Sequence, residues 1–487
     1  MRLIDLIQDQ DHLENTSGIE DVDVTGLTQD SRAVEPGFIF AAFSGSKSDG
    51  KSFIPDAIEK GAVAILTDKQ VEGVVNIPVI ISDNPRQQFA KMIADFYQSQ
   101  PEVIVAVTGT NGKTSTAHFT RQIWQKMNYA AASLGTIGIT APGVKKYGSL
   151  TTPDPVTLHE ELAELEKSGV THLALEGSSH GLDQYRLDGV RIKAAGFTSF
   201  SRDHMDYHET EADYLAAKTR LFSEVMQPYG VAVLNADIPE FKALNKVCQE
   251  RGIRVLSYGY KACDIKLTKR EPLLHGQSVS LMVFGQNYNF EFPLAGAFQI
   301  MNALCALGLV LSEFLENPLK QAESVTALEK LTGVKGRLEL VAYHPNGAAI
   351  YVDYAHTPDA LENVLKALRP HTSNQLHALI GCGGDRDKGK RPQMGKVAQD
   401  LADHVIITDD NPRTENPDII RQEIMTACPK AQEVGDRAKA IKEAIAQLNS
   451  GDILVVAGKG HEQGQIIGTE VKPFDDAEEI KKELAGV

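Results

Sequence analysis

The sequence predicts an α/β protein of about three domains, built largely from parallel sheets. Three observations support this prediction. The chain has 487 residues, which is enough for several hydrophobic cores. Short apolar runs alternate with segments of helical character, as in parallel sheets connected by helices. Many of these runs end in loops rich in glycine or charge. We expect a small α/β domain over 1–98, a central parallel-sheet domain over 99–332 and a further α/β domain over 333–487.

Composition narrows the class of protein. The chain is 42% apolar and 23% charged, and its formal net charge is −16 with no block of Lys or Arg, which argues against nucleic acid as a partner. No apolar run reaches the roughly 18 residues of a membrane-spanning helix, and the first residues lack a signal-peptide pattern. We therefore expect a cytoplasmic protein that is not an integral membrane protein. The five cysteines are scattered without CxxC spacing, which predicts reduced thiols and no zinc site.

The first domain offers two loops dense in hydrogen-bond donors. One runs from Thr28 to Arg32 and the other from Phe43 to Gly50. Such loops suit a polar or phosphorylated ligand, but the same composition is typical of ordinary polar turns. Residue types alone leave both interpretations open.

The second domain begins with a phosphate-binding pattern. Five apolar residues from Val103 predict a buried strand, and TGTNGKT follows them before a helix. Gly109 and Gly112 let the backbone approach a phosphate, which the N–H groups of the helix N-terminus can bind. Lys113 supplies a positive charge and Thr114 a hydroxyl ligand for Mg²⁺. The first glycine of the strict GxxxxGK[ST] pattern is absent, so this P-loop is a variant.

Two further strand ends in this domain carry candidate chemistry. Glu176 ends one apolar run, where a second Mg²⁺ ligand or a water-orienting acid would lie beside a P-loop. His204 lies in the loop SRDHMDYH, which follows another strand. This loop is not HExxH, because Met205 stands where the glutamate would be. Spacing alone leaves His204 open between a metal ligand and a residue of a solvated acidic loop.

The remainder of the chain contains two kinds of strand pattern. Residues 253–294 alternate in a way that predicts antiparallel strands, and an apolar helix begins near Gly296. After residue 333, four apolar runs each end in a polar loop. Open α/β sheets bind ligands at the carboxyl ends of their strands, so these loops predict a binding site.

The motifs TGTNGKT, LExSSHGL, SRDHxDYH, GRLE, DYAHTPDAL and GDRDKGKRP together resemble those of the Mur ligases, across all three expected domains. The resemblance implies the three-domain Mur ligase fold, in which a central P-loop ATPase-like domain follows a small α/β N-terminal domain and precedes a Rossmann-like C-terminal domain. It also implies an ATP-driven amide ligation through an acyl phosphate. The stretch TDDNPRTE is similar to that of the members that add meso-2,6-diaminopimelate to UDP-N-acetylmuramoyl-L-alanyl-D-glutamate in peptidoglycan precursor synthesis. The lysine-adding members lack the arginine of this stretch, here Arg413.

The resemblance also implies the site residues, the cofactor Mg²⁺ and ATP as co-substrate. The catalytic residues would be Lys113, Glu176, His204 and Lys218. Mg²⁺ would be held by Thr114, Glu176, His204 and Lys218, the last as a CO₂-derived carbamate (N6-carboxylysine). ATP would contact Gly109, Thr110, Asn111, Gly112, Lys113, Thr114, Ser115, Asn302, Arg337, Asp353 and His356. The muramoyl dipeptide nucleotide would contact Gln29, Ser31, Ser46, Lys47, Ser48, Thr151, Thr152, Ser178, Gln184 and Arg186. Diaminopimelate would contact Arg386, Asp410, Asn411, Pro412, Arg413, Gly458 and Glu462.

Several features qualify these expectations. Carbamylation would turn Lys218 from a cation that repels Mg²⁺ into an anionic ligand, whereas spacing alone would place Lys218 on the surface of a helix. Gly177 replaces the usual valine of the LEVSSH-type loop, and Gln299 replaces the first asparagine of GxxNxxN. Both changes bear only on fine positioning, since neither removes a charge. The partners would be these small molecules, and we expect a monomer.

Three alternatives remain at this point. A folylpolyglutamate synthetase shares the P-loop and the activated carboxylate, but it would not explain the first domain or the DNPR sequence. A lysine-adding enzyme is disfavoured by Arg413. A non-catalytic ATP sensor would not need Lys113, Glu176, His204 and Lys218 together.

Overall fold

The computed structural model describes residues 1–7, 12–14, 19–44, 49–71, 76–146, 148, 150–205, 207–273 and 276–486. Two compact units make up the chain. The first contains Met1–Tyr258 and Cys305–Ser324, and the second contains Gly259–Leu304 and Val325–Val487. Because the chain passes three times between them, each unit is assembled from separate segments of sequence.

The first sheet of unit 1 is five-stranded, with the order β1-β5-β4-β3-β2. Strand β1 is antiparallel to β5, and the other pairs are parallel. Its elements are β1 (His12–Glu14), β2 (Gly26–Thr28), β3 (Phe38–Ala41), α1 (Ile54–Glu59), β4 (Ala64–Thr67), β5 (Val79–Ile81) and α2 (Pro85–Tyr97). Buried aliphatic residues such as Ile39 and Leu66 pack against Phe89 and Ile93 of α2 to form its core.

The larger sheet of unit 1 carries the P-loop. Its strands lie in the order β13-β12-β11-β6-β10-β7-β8-β9, and pairing from β13 to β7 is parallel. The elements are β6 (Val103–Thr108), α3 (Lys113–Lys126), β7 (Ala131–Gly135), β8 (Gly138–Ala141), β9 (Val144–Lys146), α4 (Pro155–Lys167), β10 (His172–Glu176), α5 (Ser179–Asp183), β11 (Ile192–Phe197), α6 (Glu211–Arg220), β12 (Val231–Asn235), α7 (Phe241–Glu250) and β13 (Arg254–Gly259). Strand β6 lies between β10 and β11 and is buried along its whole length, as its unbroken apolar sequence predicts.

Unit 2 begins with three antiparallel strands, as the alternating sequence predicts. They are β14 (Ile265–Leu273), β15 (Gly276–Val283) and β16 (Gln286–Phe292). Helices α8 (Ala297–Leu311) and α9 (Pro318–Ala327) follow, and the chain passes between the units within each of them.

The last sheet of unit 2 is six-stranded, with the order β17-β18-β22-β19-β20-β21. Strand β17 pairs antiparallel to β18, and the remaining pairs are parallel. The elements are β17 (Glu339–Tyr343), β18 (Ala349–Asp353), α10 (Pro358–Leu368), β19 (Leu376–Ile380), α11 (Lys390–Leu401), β20 (His404–Ile407), α12 (Pro417–Met425), β21 (Gln432–Glu433), α13 (Arg437–Ala446), β22 (Ile453–Ala457), β23 (Gly464–Ile467), β24 (Glu470–Pro473) and α14 (Asp476–Leu484). Parallel pairing brings the loops after β18, β19, β20 and β22 to one edge of the sheet.

The predicted α/β class and its parallel sheets are confirmed, and the strand ends that carry polar loops fall within about two residues of the predicted positions. Within the described part of the chain, no helix combines the length and the apolar character that crossing a bilayer requires. The boundaries at residues 98 and 332 stay a prediction.

Candidate active site

The P-loop of unit 1 connects β6 to α3 through two glycines in the left-handed region. Gly109 has φ of 142° and Gly112 has φ of 88°. A Cβ on Gly109 would lie 2.0 Å from Oγ1 of Thr198, so the loop requires glycine there. The N–H groups of Thr110 and Asn111 already donate to Ser199. The first-turn N–H groups of α3, which include those of the predicted residues Thr114 and Ser115, are therefore the donors left for an anion.

Two lysine ammonium groups meet on one carbonyl of this loop. Lys113 Nζ donates to Gly109 O at 2.8 Å and to Thr110 O at 2.9 Å. Lys218 Nζ donates to the same Gly109 oxygen at 2.9 Å and lies 4.3 Å from the centroid of the Tyr214 ring. The P-loop therefore concentrates positive charge at its centre.

Lys218 is buried, with only 1% of its surface exposed, although spacing alone places it on a helix surface. Burial holds the pKa of its ammonium well below the usual value, and the nearby charge of Lys113 lowers that pKa further. The helix continues beyond Lys218 into a π-helical turn at Leu221–Val225.

Glu176, at the end of β10, is held beside the P-loop by hydroxyl and amide donors. Thr114 Oγ1 donates to Glu176 Oε2 at 3.1 Å. Thr136 donates to both carboxylate oxygens, through its N–H at 2.9 Å and through its hydroxyl at 3.1 Å. A Cβ on Gly135 would lie 2.0 Å from Glu176 Oε1, so this glycine makes room for the carboxylate. The structure thus brings Thr114 and Glu176 together, as predicted for a shared metal ion.

A second cluster in unit 1 collects the residues predicted for the muramoyl dipeptide. Thr152 Oγ1 donates to Glu176 O at 2.9 Å and accepts from the N–H and the hydroxyl of Ser178 at 3.0 Å each. Arg186 donates to Thr152 O at 2.6 Å and to the side-chain carbonyl of Gln184. Thr151 joins through a 3.0 Å hydroxyl contact with Thr136. Burial lowers the pKa of Arg186.

His204 lies on an exposed loop, beside other aromatic rings. Its backbone has a φ of 54°, and its ring lies 5.0 Å from the His180 ring and 6.1 Å from the Tyr214 ring, centroid to centroid. Its Nε2 lies 3.7 Å from a carboxylate oxygen of Asp203. Nearby, His208 is buried, and burial lowers the pKa of its imidazole.

The residues predicted to hold Mg²⁺ are a partial fit. Thr114 and Glu176 supply adjacent oxygen atoms, which are the ligands that Mg²⁺ prefers. No group of three His, Cys, Asp or Glu side chains in the described residues is arranged to hold a metal ion. This donor set is typical of a Mg²⁺ ion bound by one carboxylate together with substrate phosphates and water.

The residues predicted for the uridine nucleotide lie in the first sheet region. Gln29 is exposed between β2 and a short 3₁₀ turn, Ser31–Ala33. The Ser31 carbonyl accepts from Lys60 Nζ at 2.7 Å. Ser46, Lys47 and Ser48 fall outside the described residues.

In unit 2, three of the predicted ATP contacts, Arg337, Asp353 and His356, lie near the end of β18. Asp353 is buried and accepts from the N–H groups of Leu338 at 2.6 Å and Ala355 at 2.7 Å. Burial raises the pKa of Asp353 to about 6, although the charge of Arg337 opposes this shift. The Arg337 guanidinium lies 4.8 Å from the Tyr354 ring centroid, and the His356 ring lies 4.6 Å from it. Asn302 is buried in α8.

The loops after β20 and β22 bring three of the predicted diaminopimelate residues together. Asn411 Nδ2 donates to Glu462 Oε2 at 2.9 Å. Between them lies Lys459, whose side chain is fully buried and whose Nζ donates to Asn411 Oδ1 at 2.9 Å. Lys459 also lies 3.5 Å from Asp410 Oδ1 and 3.4 Å from Glu462 Oε2. Gly458, with a φ of 119°, begins this turn.

Arg413 and Arg386 lie on neighbouring loops of the same sheet edge. Arg413 is half-buried, has a φ of 51°, and donates from Nη1 to Gly384 O at 2.8 Å. Pro412, before it, is buried. Arg386 is exposed, and its Nη1 donates to Asp385 O at 3.5 Å. The two guanidinium groups are therefore available to an anionic ligand to different degrees.

The two departures from the expected motifs have different structural consequences. A Cβ on Gly177 would meet Leu187 Cδ1 at 3.4 Å, an ordinary contact, so the position does not demand glycine. Gln299 is fully buried and donates to Arg337 O at 3.2 Å, while its Oε1 has no hydrogen-bond partner in the described residues. Gln299 therefore helps to fix the backbone of Arg337.

Sequence reasoning missed residues that support the predicted ones. Thr136 holds the Glu176 carboxylate, and Lys459 links Asn411 to Glu462. Arg391, fully buried, pairs with Glu415 at 2.9 Å and with Glu423 at 2.7 Å. Only Lys459 carried a signal, because a lysine two residues after a fully apolar strand must be paired if it is buried.

Sequence models of three domains match the chain in order. The model described as Mur ligase family, catalytic domain, matches residues 23–104, the Mur ligase middle domain matches 107–310, and the Mur ligase, glutamate ligase domain matches 336–460. These segments together span most of the chain.

Whole-length relatives give the same result. Two curated proteins named UDP-N-acetylmuramoyl-L-alanyl-D-glutamate--2,6-diaminopimelate ligase are each 50% identical to this chain. The protein from Agrobacterium fabrum matches over 96% of this chain and 95% of its own length. The protein from Bradyrhizobium diazoefficiens matches over 100% of this chain and 99% of its own length. A solved structure of a ligase with that name is 34% identical, with a TM-score of 0.75 and coverage of 100% of this chain and 99% of its own. A MurF ligase from Thermotoga maritima in complex with ADP shares the fold at 17% identity and a TM-score of 0.61, covering 96% of this chain and 98% of its own. This chain belongs to the Mur ligase family, because three Mur ligase domain models match it in order and its full-length relatives are 50% identical to it.

Proposed function

We propose that this chain catalyses the ATP-dependent addition of meso-2,6-diaminopimelate to UDP-N-acetylmuramoyl-L-alanyl-D-glutamate, a step of peptidoglycan precursor synthesis. The relatives of 50% identity carry this activity in their names. The observation in the chain itself that carries the proposal is the loop pair after β20 and β22. There Asp410 and Glu462 offer carboxylates and Arg413 offers a guanidinium, which are the groups needed to bind an amino acid with an extra carboxylate.

The reaction would proceed in two steps. A carboxylate oxygen of the D-glutamyl residue attacks the γ-phosphorus of ATP, the bond to the β-phosphate oxygen breaks, and ADP leaves. An amine of diaminopimelate then attacks the acyl phosphate carbon, phosphate leaves, and the nitrogen loses a proton. Both steps bring anions together, so they need fixed positive charge at the phosphoryl group.

Lys113 is the residue best placed to supply that charge. Its ammonium contacts two carbonyl oxygens at the centre of the P-loop, which is where the β- and γ-phosphates of a nucleotide bind in this motif. Thr114 and Glu176 would hold Mg²⁺, with His204 and a carbamylated Lys218 as further ligands. When bound, Mg²⁺ neutralises charge on the phosphate oxygens.

Carbamylation of Lys218 is supported by its surroundings. An ammonium that is buried and shares one carbonyl with a second ammonium is disfavoured, so the neutral amine is more accessible than on the surface. The neutral amine attacks CO₂, a C–N bond forms and a proton leaves, which replaces a positive charge by a negative one. The carbamate would relieve the repulsion with Lys113.

Thr152, Ser178, Gln184 and Arg186 would hold the muramoyl dipeptide, since their side chains form one hydrogen-bonded group adjoining Glu176. Arg337, Asp353, His356 and Asn302 would contact ATP. We also propose that the protein acts in the cytoplasm and as a monomer.

A folylpolyglutamate synthase is the strongest alternative activity. Such an enzyme from Mycobacterium tuberculosis, in complex with ADP and AMPPCP, has this fold at 18% identity and a TM-score of 0.62, but covers only 77% of this chain. The parts of this chain that we assign to the uridine nucleotide and to diaminopimelate have no use in that reaction.

The test is phosphate release by the purified enzyme with ATP and Mg²⁺. We expect release only when both the dipeptide nucleotide and diaminopimelate are present, with one tripeptide nucleotide formed per phosphate. Release that needs only one of the two substrates, or that responds to a folate and glutamate, would overturn the proposal. Parallel reactions with lysine identify a lysine-adding enzyme.

A further inference from the structure

We propose that Lys459 is a positioning residue that sets the orientation of Asn411 and of the two carboxylates in the amino-acid site. It would not touch the substrate. This inference rests on the proposed function, because it assigns a role within the diaminopimelate site.

The first support is complete burial of a charged group among defined partners. The Lys459 side chain has 0% exposure. A buried ammonium is costly unless its donors are satisfied, and lysine has three donors. Its Nζ donates to Asn411 Oδ1 at 2.9 Å and to Glu462 Oε2 at 3.4 Å, and it forms an ion pair with Asp410 Oδ1 at 3.5 Å, an oxygen that accepts no hydrogen bond from the described residues. These partners come from two different loops, so Lys459 links the loop after β20 to the loop after β22.

The second support is the orientation of the Asn411 amide. Its Oδ1 accepts from Lys459 Nζ and from the N–H of Ile466 at 3.0 Å. Two donors on one side fix the oxygen there, so the amide nitrogen points to Glu462 Oε2, to which it donates at 2.9 Å. Without the ammonium of Lys459, only one donor would define this amide orientation.

The third support is charge balance. Asp410 and Glu462 contribute two negative charges, and Lys459 contributes one positive charge. The cluster therefore keeps one net negative charge, which suits the ammonium group of an amino acid. Glu462 directs Oε2 to Lys459 and Asn411, while its Oε1 accepts no hydrogen bond from the described residues and its side chain is 34% exposed. This leaves Oε1 for the substrate.

Another buried cation of this region does not duplicate the role. Arg437 is fully buried, but its Nε and Nη2 pair with Asp476 at 2.7 Å each. Its remaining hydrogen bonds among the described residues are to the backbone carbonyls of Asp409 and Ala457, and its charge acts on Asp410 and Glu462 without forming an ion pair with either. Lys459 is thus the cation whose ion pairs reach Asp410 and Glu462 in the described part of the chain.

The test is the steady-state kinetics of Lys459→Met, which keeps the length of the side chain and removes the charge. We expect KM for diaminopimelate to rise about 100-fold, because the two carboxylates lose their buried counter-charge and Asn411 loses its fixed orientation. KM for ATP and for the dipeptide nucleotide should stay within about 2-fold. The matched control is Arg369→Met, which removes a cation paired at 2.7 Å with Asp403 at the opposite end of the sheet; it should leave all three constants unchanged.

A double-mutant cycle separates positioning from general loop stability. In a Glu462→Gln background, Lys459→Met should raise KM for diaminopimelate at least 5-fold less than in the wild-type enzyme, because the shared carboxylate is gone. Additive effects would overturn the inference, as would an unchanged KM in Lys459→Met or equal losses for all three substrates.

Folding of the variants is checked by their melting temperatures. If Lys459→Met does not fold, Lys459→Gln carries the same measurements. If neither folds while Arg369→Met does, Lys459 is a folding requirement and the positioning role is wrong. A wild-type enzyme that releases no phosphate with diaminopimelate would instead refute the proposed function, so the two failures are distinguishable.

Discussion

Removing the Arg413 guanidinium should weaken diaminopimelate binding selectively. Diaminopimelate differs from lysine by a second carboxylate at the far end of its side chain, and a planar guanidinium can bind a carboxylate through two parallel hydrogen bonds. Arg413 Nη1 donates to Gly384 O at 2.8 Å, which holds the side chain along the loop after β19. The backbone of Arg413 is fixed as well, because its N–H donates to Ile466 O and its carbonyl accepts from Gly468. The group is therefore preorganised rather than a freely moving surface arginine.

The size of the effect follows from its burial. Truncating one partner of a buried, hydrogen-bonded charge pair costs about 2 to 5 kcal/mol. Arg413 is only half-buried, so solvent screens part of this interaction and the lower end, about 2 to 3 kcal/mol, applies. This corresponds to a rise of about 30- to 150-fold in KM for diaminopimelate. A solvated loop arginine would change the same constant by about 2-fold, or 0.5 kcal/mol.

Two substitutions separate the charge from the backbone conformation. Arg413 has a φ of 51°, and a residue with a Cβ is strained in this left-handed conformation. Arg413→Ala keeps the backbone strain, whereas Arg413→Gly relieves about 1 kcal/mol of it. Both variants lose the guanidinium, so both should show the same rise in KM even if their melting temperatures differ. Initial rates of phosphate release, with diaminopimelate varied at saturating ATP and dipeptide nucleotide, measure this. Lys396→Ala, which removes an exposed cation paired with Asp400, is the control.

Either of two results would refute this reasoning. The first is a wild-type KM for diaminopimelate in both Arg413 variants, which would make the arginine a solvated loop residue. The second is efficient use of lysine by the wild-type enzyme, because a guanidinium facing an ammonium should exclude it. The ligase activity itself could survive both results, and only the assignment of the third residue would change.

Three further predictions concern charged residues of the proposed nucleotide site. Lys218→Ala should lose nearly all activity, and excess acetate or bicarbonate should restore part of it by supplying the missing carboxylate. Full activity of the Lys218→Ala variant in carbonate-free buffer would exclude the carbamate. Lys113→Ala should slow turnover by about 10² to 10³ or more while still binding the uridine nucleotide in a calorimetric titration, and loss of that binding in a folded variant would contradict the assigned roles. Burial raises the pKa of Asp353 to about 6, so the folded state favours the protonated acid and the wild type should lose stability relative to Asp353→Asn as the pH rises from 4 to 7. The loss should total about 3 kcal/mol of unfolding free energy, because the stability that a raised acid pKa contributes is present below the unfolded pKa and is lost above the folded pKa. Melting curves of the two proteins that stay parallel across this pH range would show that the pKa of Asp353 is not raised.

The parts of the site that the sequence predicted are those encoded locally. An unbroken apolar run followed by glycine, lysine and threonine defines the end of β6 and the start of α3, because hydrophobic pattern and turn chemistry act over a few residues. Glu176 was located in the same way, as a charge at the end of a buried strand. Arg413 required the family resemblance, since a loop arginine has no local pattern that distinguishes it from a surface residue.

The parts that local pattern could not predict depend on residues far apart in sequence. Thr136 reaches Glu176 because β7 and β10 are adjacent parallel strands, a pairing that neither segment specifies alone. Lys218 is buried because α6 brings it to Gly109, although the helix around it carries several charges typical of a solvated surface. In both cases the partner is set by tertiary packing, which a single sequence records only indirectly.

The two units hold lysines in settings of opposite charge balance, and this accounts for ligand preferences that the net charge of the whole chain does not predict. In unit 1, Lys113 and Lys218 share one neutral carbonyl, so the P-loop presents excess positive charge to a triphosphate and a carboxylate. In unit 2, Lys459 lies between Asp410 and Glu462, so the loops after β20 and β22 retain excess negative charge for an ammonium group. A chain of net charge −16 can therefore bind an anionic nucleotide, because fields at a few angstroms are set by individual buried groups, whereas distant surface charges are screened by water and salt. Carbamylation of Lys218 would exchange one of the two positive charges at the P-loop for a negative one. Counted together with Lys113 and the Glu176 carboxylate, the site would then carry one net negative charge, which suits a nucleotide that binds together with Mg²⁺.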